Sequence, residues 1–140
     1  MWSLPYFASK CGDAEVTVAL TPDGRADAVK PVTEANGARL FVKPYERRVK
    51  MRDFCAALGS RGSPETEAAG IVGVPYLSRQ NDSLRDEFSG TLADDVPVGG
   101  PAFAASALGG AAEAVNLWVG DERSVTSTHQ VREKTRSSAW

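Results

Sequence analysis

A single histidine, His129, and two cysteines, Cys11 and Cys55, are the only imidazole and thiol groups in the 140 residues. One imidazole excludes any site that draws two histidines from this chain, including most zinc enzymes and the two-histidine, one-carboxylate iron triad. The thiols lack a CxxC spacing, so they read as reduced, structural residues of a reducing compartment, taken as cytoplasmic with the nucleus left open. Apolar runs such as Ala102 to Ala112 are rich in Ala and Gly and fall far short of the roughly 20 residues that cross a bilayer. The start Met-Trp-Ser-Leu-Pro-Tyr-Phe has neither a basic region nor a long apolar one, so no secretory signal is read. Charge of one sign is also missing: 16 basic against 18 acidic side chains give −2. With the lysines and arginines scattered, no footprint for nucleic acid or an anionic membrane is expected. GxxxxGK[ST], GxSxG, HExxH and GxGxxG are all absent, which removes the phosphate-loop, α/β-hydrolase, zincin and dinucleotide-binding readings.

What is present is globular: 42% hydrophobic and 24% charged residues at a length that suits one domain with a core. Leu4-Pro5-Tyr6-Phe7 opens a short helix that runs to Cys11, with Gly12 as its cap. Glu15 to Leu20 alternates as a strand and stops at Thr21-Pro22-Asp23-Gly24, a turn signature. Arg39 to Val42 reads as a second strand ended by Lys43-Pro44. Met51, Phe54, Cys55 and Leu58 fall at i, i+3, i+4 and i+7 and predict an amphipathic helix stopped by Gly59. Ser60 to Gly70 reads as a loop and Ile71 to Leu77 as a buried strand with an irregularity at Pro75. Asn81 to Leu108 reads as short helical pieces, one capped by Asp82 or Ser83 and the last ended by Gly109-Gly110. Ala114 to Gly120 is the best strand candidate, with Ser124 to His129 as its hairpin partner across Asp121-Glu122-Arg123. The carboxylate pairs Asp94-Asp95 and Asp121-Glu122, and the cluster Glu46-Arg47-Arg48, read as solvated turn or face residues. Residues 130–140 lose all periodicity and are expected to form a disordered tail.

Three segments carry a more specific signal when taken in order. They are Trp2-Ser3-Leu4-Pro5-Tyr6-Phe7 with Val16 to Val29 (VTVALTPDGRADAV), then Gly73-Val74-Pro75-Tyr76-Leu77, then Ala114 to Gly120 through Ser124-Val125-Thr126-Ser127-Thr128-His129. Together they resemble the Jumonji-C, cupin-like 2-oxoglutarate oxygenases, most closely the small lysyl hydroxylase branch. The resemblance implies an α+β fold, a partial double-stranded β-helix with packed helices that stops before the barrel closes, over residues 1–129. It implies Fe(II) and 2-oxoglutarate as the family's cofactors and a protein, modified at lysyl side chains, as its substrate. By position His129 matches the first iron ligand, Thr126 a hydroxyl that binds the cosubstrate, and Tyr76 a phenol that reaches the distal carboxylate of 2-oxoglutarate. Residues at i and i+2 on a strand share a face, which is how an HxD motif presents two ligands together. Thr126 and His129 are three apart and need a bulge between them to do the same. Without the resemblance, His129 would be a surface or capping residue, Tyr76 and Trp118 core aromatics, and Thr126 a β-former.

The pattern breaks at Val131, two residues after His129, where the family has Asp or Glu; valine offers no donor to iron(II). With the second histidine also missing, this chain is expected to bind neither Fe(II) nor 2-oxoglutarate and to be an inactive fragment of a lysyl-hydroxylase-like enzyme. The alternatives are a non-catalytic protein-binding remnant and a truncated gene model, since valine codons begin with the GT that opens most introns. No nucleic acid or membrane partner is expected, and the oligomeric state stays open.

Overall fold

The computed structural model describes residues 2–32, 37–60, 63–92, 95–96 and 99–127; His129 and the expected tail from Gln130 to Trp140 lie outside them. Helix α1 (Leu4–Cys11) starts where Ser3 accepts the Tyr6 amide and proline occupies the first turn, where its missing N–H costs nothing. Gly12 ends it in a right-handed conformation, so it is not the left-handed cap that a terminal glycine suggests. A Cβ there would overlap the Ala8 carbonyl, and close approach is what selects glycine.

Strand β1 (Glu15–Thr21) then crosses the centre of the molecule. Val16, Val18 and Leu20 point to one face and are buried, as alternation demands. After the turn at residues 21–24 come β2 (Ala28–Pro31) and β3 (Arg39–Val42), which pair antiparallel as a separate two-stranded ribbon. β4 (Tyr45–Lys50) returns beside β1 with Val16 opposite Val49. Helix α2 (Met51–Ser60) buries Met51, Phe54, Cys55 and Leu58, the whole stripe expected of it, and runs one residue past Gly59. α1 and α2 cover the inner face of the sheet, where Phe7, Val16, Val18, Phe54 and Phe88 meet in one core. Both cysteines are free and buried, and the Cys11 thiol donates to the Phe7 carbonyl at 3.3 Å.

The second half departs from expectation in three places. Within the expected loop of residues 60–70, Pro64–Ala68 form a short helix, α3, anchored by the Thr66 hydroxyl on the Ser63 carbonyl at 2.8 Å. The expected strand Ile71 to Leu77 contracts to β5 (Val74–Tyr76), which takes the other edge of β1 with Ala19 opposite Tyr76. Pro75 is tolerated there because an edge strand can spare an N–H.

The third is the strand expected over residues 114–120, which does not form, nor does its hairpin among the described residues. Only Val119 bridges, to Leu77. The backbone there has other partners. The Val115 amide donates to Asp82 Oδ1 at 2.6 Å and the Leu117 amide to Ser83 Oγ at 3.2 Å. In return, the Val115 carbonyl and Asn116 Oδ1 accept the Leu84 and Ser83 amides. Those two amides are orphan donors of helix α4 (Ser83–Phe88), so a distant extended segment caps the helix. Asp82 is the N-cap by position, yet its carboxylate accepts from the Val115 amide and from the Arg85 guanidinium rather than from a backbone amide of α4. Helix α5 (Ala102–Leu108) ends at Gly109 in the left-handed conformation, as expected. The fold is α+β, with two antiparallel sheets and no closed barrel among the described residues.

Candidate functional site

The sheet's second face, opposite the helices, carries Thr17, Ala19 and Thr21 of β1. Tyr76 reaches this face from the end of β5, and Thr126 arrives from a segment 50 residues later. The turn after β1 places that segment. Gly24 has φ +80, and a Cβ on it would overlap the Arg123 carbonyl, so the close passage of the two chains requires glycine. The Val125 amide donates to the Gly24 carbonyl at 2.9 Å, Arg25 and Val125 form a parallel bridge, and Ser127 Oγ donates to the Ala26 carbonyl at 3.0 Å. Thr126 is thus held on both sides, and its Oγ1 lies 3.3 Å from Tyr76 Oη.

The two hydroxyls line a groove of about 520 Å³. Phe41 and Trp118 flank it with 62% and 44% of their surface exposed, so Trp118 is a wall residue and not the core aromatic expected of it. Lys43, Asp27, Ser78, Gln80 and Ser127 complete its polar lining. Two adjacent hydroxyls, each able to turn its proton toward a shared acceptor, suit a carboxylate, since hydrogen bonds to an ionised acceptor are the stronger kind. The structure brings Tyr76 and Thr126, both singled out in the sequence, into one groove, together with Lys43 and Asp27, which were not singled out. Phe41 and Lys43 lie at i and i+2 in extended chain, a spacing that places both on one side. His129, the third expected site residue, lies outside the described residues.

Elsewhere, Asp95 and Glu122 of the acidic pairs are exposed, as expected, while Asp121 is half-buried. Asp121 is held by Arg123 at 2.5 Å with 14% of its side chain exposed, and that contact pushes the guanidinium's pKa up. Asp95 accepts the Tyr6 phenol at 2.5 Å, a bond that pushes the Tyr6 pKa up to about 12. Asp94 lies outside the described residues. Glu46, Arg47 and Arg48 are exposed on β4, as expected.

An iron(II) ion held by two imidazoles and a carboxylate does not fit the residues present. No group of three His, Cys, Asp or Glu gathers among the described residues. The full sequence supplies one imidazole, His129, and the residue two after it is Val131, which has no donor atom for iron(II).

A family model described as a cupin-like domain matches residues 1–131. Among curated proteins, the chain is 36% identical over 131 residues to JmjC domain-containing protein E of Dictyostelium discoideum, covering 92% of this chain and 36% of that one. It is 39% identical over 132 residues to the human bifunctional peptidase and (3S)-lysyl hydroxylase JMJD7, covering 92% and 36%. To the lysine-specific demethylase JMJ32 of Arabidopsis thaliana it is 34% identical over 131 residues, covering 93% and 34%. The chain therefore spans about a third of the length of these relatives.

Proposed function

The chain belongs to the cupin-like JmjC family, and from that premise we propose that its groove is the seat for the distal carboxylate of 2-oxoglutarate in a JmjC-type hydroxylase of protein lysyl side chains. The observation that carries this reading is the convergence of Tyr76 Oη and Thr126 Oγ1, 3.3 Å apart, from segments 50 residues distant. Each hydroxyl donates one proton to the carboxylate, while Phe41 and Trp118 limit the water that competes for it.

The 140 residues by themselves do not turn over 2-oxoglutarate, because their donor set does not make the iron site. Anchored only by its distal carboxylate in an open groove, 2-oxoglutarate binds in about the millimolar range, some 4 kcal/mol. A heteronuclear NMR titration with 2-oxoglutarate tests the seat. Saturable shifts at Tyr76 and Thr126 are expected, weakened in Tyr76→Phe and in Thr126→Ala. Shifts that are absent, or equal in wild type and both variants, reject it. Succinate release with added Fe(II) would reject the claim of no turnover.

A second reading, a non-catalytic protein-binding module, draws on the exposed Val29, Leu40, Phe41 and Val42 of the β2–β3 ribbon. It gains if a lysine-bearing peptide shifts those residues while 2-oxoglutarate shifts none.

A further inference from the structure

We propose that a cavity between β1, β4 and α4 is a binding site for a primary ammonium group, received by the buried carboxylate of Glu87. The cavity measures about 630 Å³ and shares no lining residue with the Tyr76–Thr126 groove. Its lining is charged almost throughout, with four carboxylates against three guanidiniums. Glu87, on α4, keeps only 7% of its side chain exposed. One of its oxygens, Oε1, accepts Arg79 Nη1 at 3.3 Å. The other, Oε2, is buried and has no hydrogen-bond partner among the described residues. An acceptor taken out of water without a donor is costly, and more so on a charged group, so a ligand that brings N–H into this cavity gains what Oε2 lacks.

The cations already on the lining do not supply it. Arg48 is held by Glu15 at 2.9 Å, and the Arg47 guanidinium lies against Gly70, where a Cβ would overlap it. Arg79 divides one nitrogen between Glu87 Oε1 and Thr17 Oγ1, each at 3.3 Å and beyond the usual length of an N–H···O bond. With 43% of its side chain exposed, Arg79 gives way to a ligand cation by a change of rotamer. Glu46 on β4 and Asp86 on α4 are exposed on the same lining and add negative charge. An ammonium at the end of an alkyl chain suits this site: it is a compact charge with three donors, whereas a guanidinium brings a planar fork matched to an open carboxylate. A quaternary ammonium has no N–H and leaves Oε2 without a partner.

The probe is n-butylamine, titrated into the full chain by heteronuclear NMR. Saturable shifts at Glu87 and Arg79 are expected, with binding about tenfold weaker in Glu87→Gln and about threefold weaker in Glu46→Gln and in Asp86→Asn, whose carboxylates are exposed. Tetramethylammonium should bind at least about tenfold more weakly than butylamine to wild type. A lysine blocked at both backbone ends separates the two sources of the group: tighter binding than butylamine assigns the site to a protein side chain, weaker binding to a free amine. No saturable shift with butylamine, or tetramethylammonium bound as tightly, would overturn the proposal. Unchanged affinity in Glu87→Gln would overturn it too, and should that variant fail to fold, unchanged affinity in Glu46→Gln does the same. None of these results touches the carboxylate seat, because the two cavities have no residue in common.

Discussion

Replacing Ser83 by alanine tests the largest departure of the fold from its sequence, the capture of residues 115–117 by the start of α4. Ser83 is fully buried, and its hydroxyl accepts the Leu117 amide at 3.2 Å, with Leu117 itself 6% exposed. The substitution leaves that amide in the interior without a partner, at a cost of about 1–3 kcal/mol, while the small loss of volume adds little. The remaining bonds of the strap, from Val115 to Asp82 and from Leu84 to Val115, do not involve the hydroxyl and should persist. Urea unfolding of Ser83→Ala against wild type gives the free energy, and amide hydrogen exchange at Leu117 locates it. Ser89→Ala, exposed at the other end of the same helix, is the control and should stay within about 0.5 kcal/mol. A loss below about 0.5 kcal/mol in Ser83→Ala, with Leu117 exchange unchanged, would refute the part of the Ser83 hydroxyl in holding Leu117.

Gly24→Ala should cost at least about 1–2 kcal/mol, since alanine is strained at φ +80 and its Cβ meets the Arg123 carbonyl; slowed exchange at Val125 equal to wild type would contradict it. Phe54→Ala should cost about 3–5 kcal/mol, because Phe54 is fully buried between α1, α2 and β1; a midpoint in urea near wild type would refute its central place. Burial, with the Cys11 thiol nearby, pushes the Cys55 pKa up to about 11. At about pH 8, alkylation of native Cys55 should therefore run about a hundredfold slower than that of an ordinary thiol, and equal rates in native and denatured chain would refute the burial. Because the folded pKa is raised, the stability this thiol contributes is fully present below its ordinary pKa of 9.0 and declines as pH rises through about 11.

The elements legible in the sequence are those whose own periodicity decides their burial. The stripe Met51, Phe54, Cys55 and Leu58 names both the helix and its buried face, and Val16, Val18 and Leu20 do the same for β1. β4 was not legible, because Tyr-Glu-Arg-Arg-Val-Lys buries one residue, Val49; pairing with β1 makes it a strand. Residues 114–120 misled in the opposite sense. Their composition favours a strand, but the groups that satisfy their backbone are side chains at 82 and 83, which no local pattern reveals. Tyr76 and Thr126 were legible through the order of three segments, whereas the bond that brings them together, from Val125 to Gly24, is a tertiary fact. Trp118 faces the groove because its neighbours Leu117 and Val119 turn to the interior and to the bridge with Leu77.

The groove and the iron motif are separable in this chain for a structural reason. Everything that shapes the groove, from the turn at Gly24 through β3, β5 and the segment at 124–127, precedes His129, and each part is fixed by backbone bonds that a metal does not share. The proposed carboxylate seat rests on these bonds. The iron triad, by contrast, is a matter of donor atoms, and valine, the residue two after His129, offers none. The lining of the groove therefore does not depend on the iron ligands. The polar lining of Tyr76, Thr126, Lys43 and Asp27 and the exposed walls of Phe41 and Trp118 remain available to an anion on their own terms.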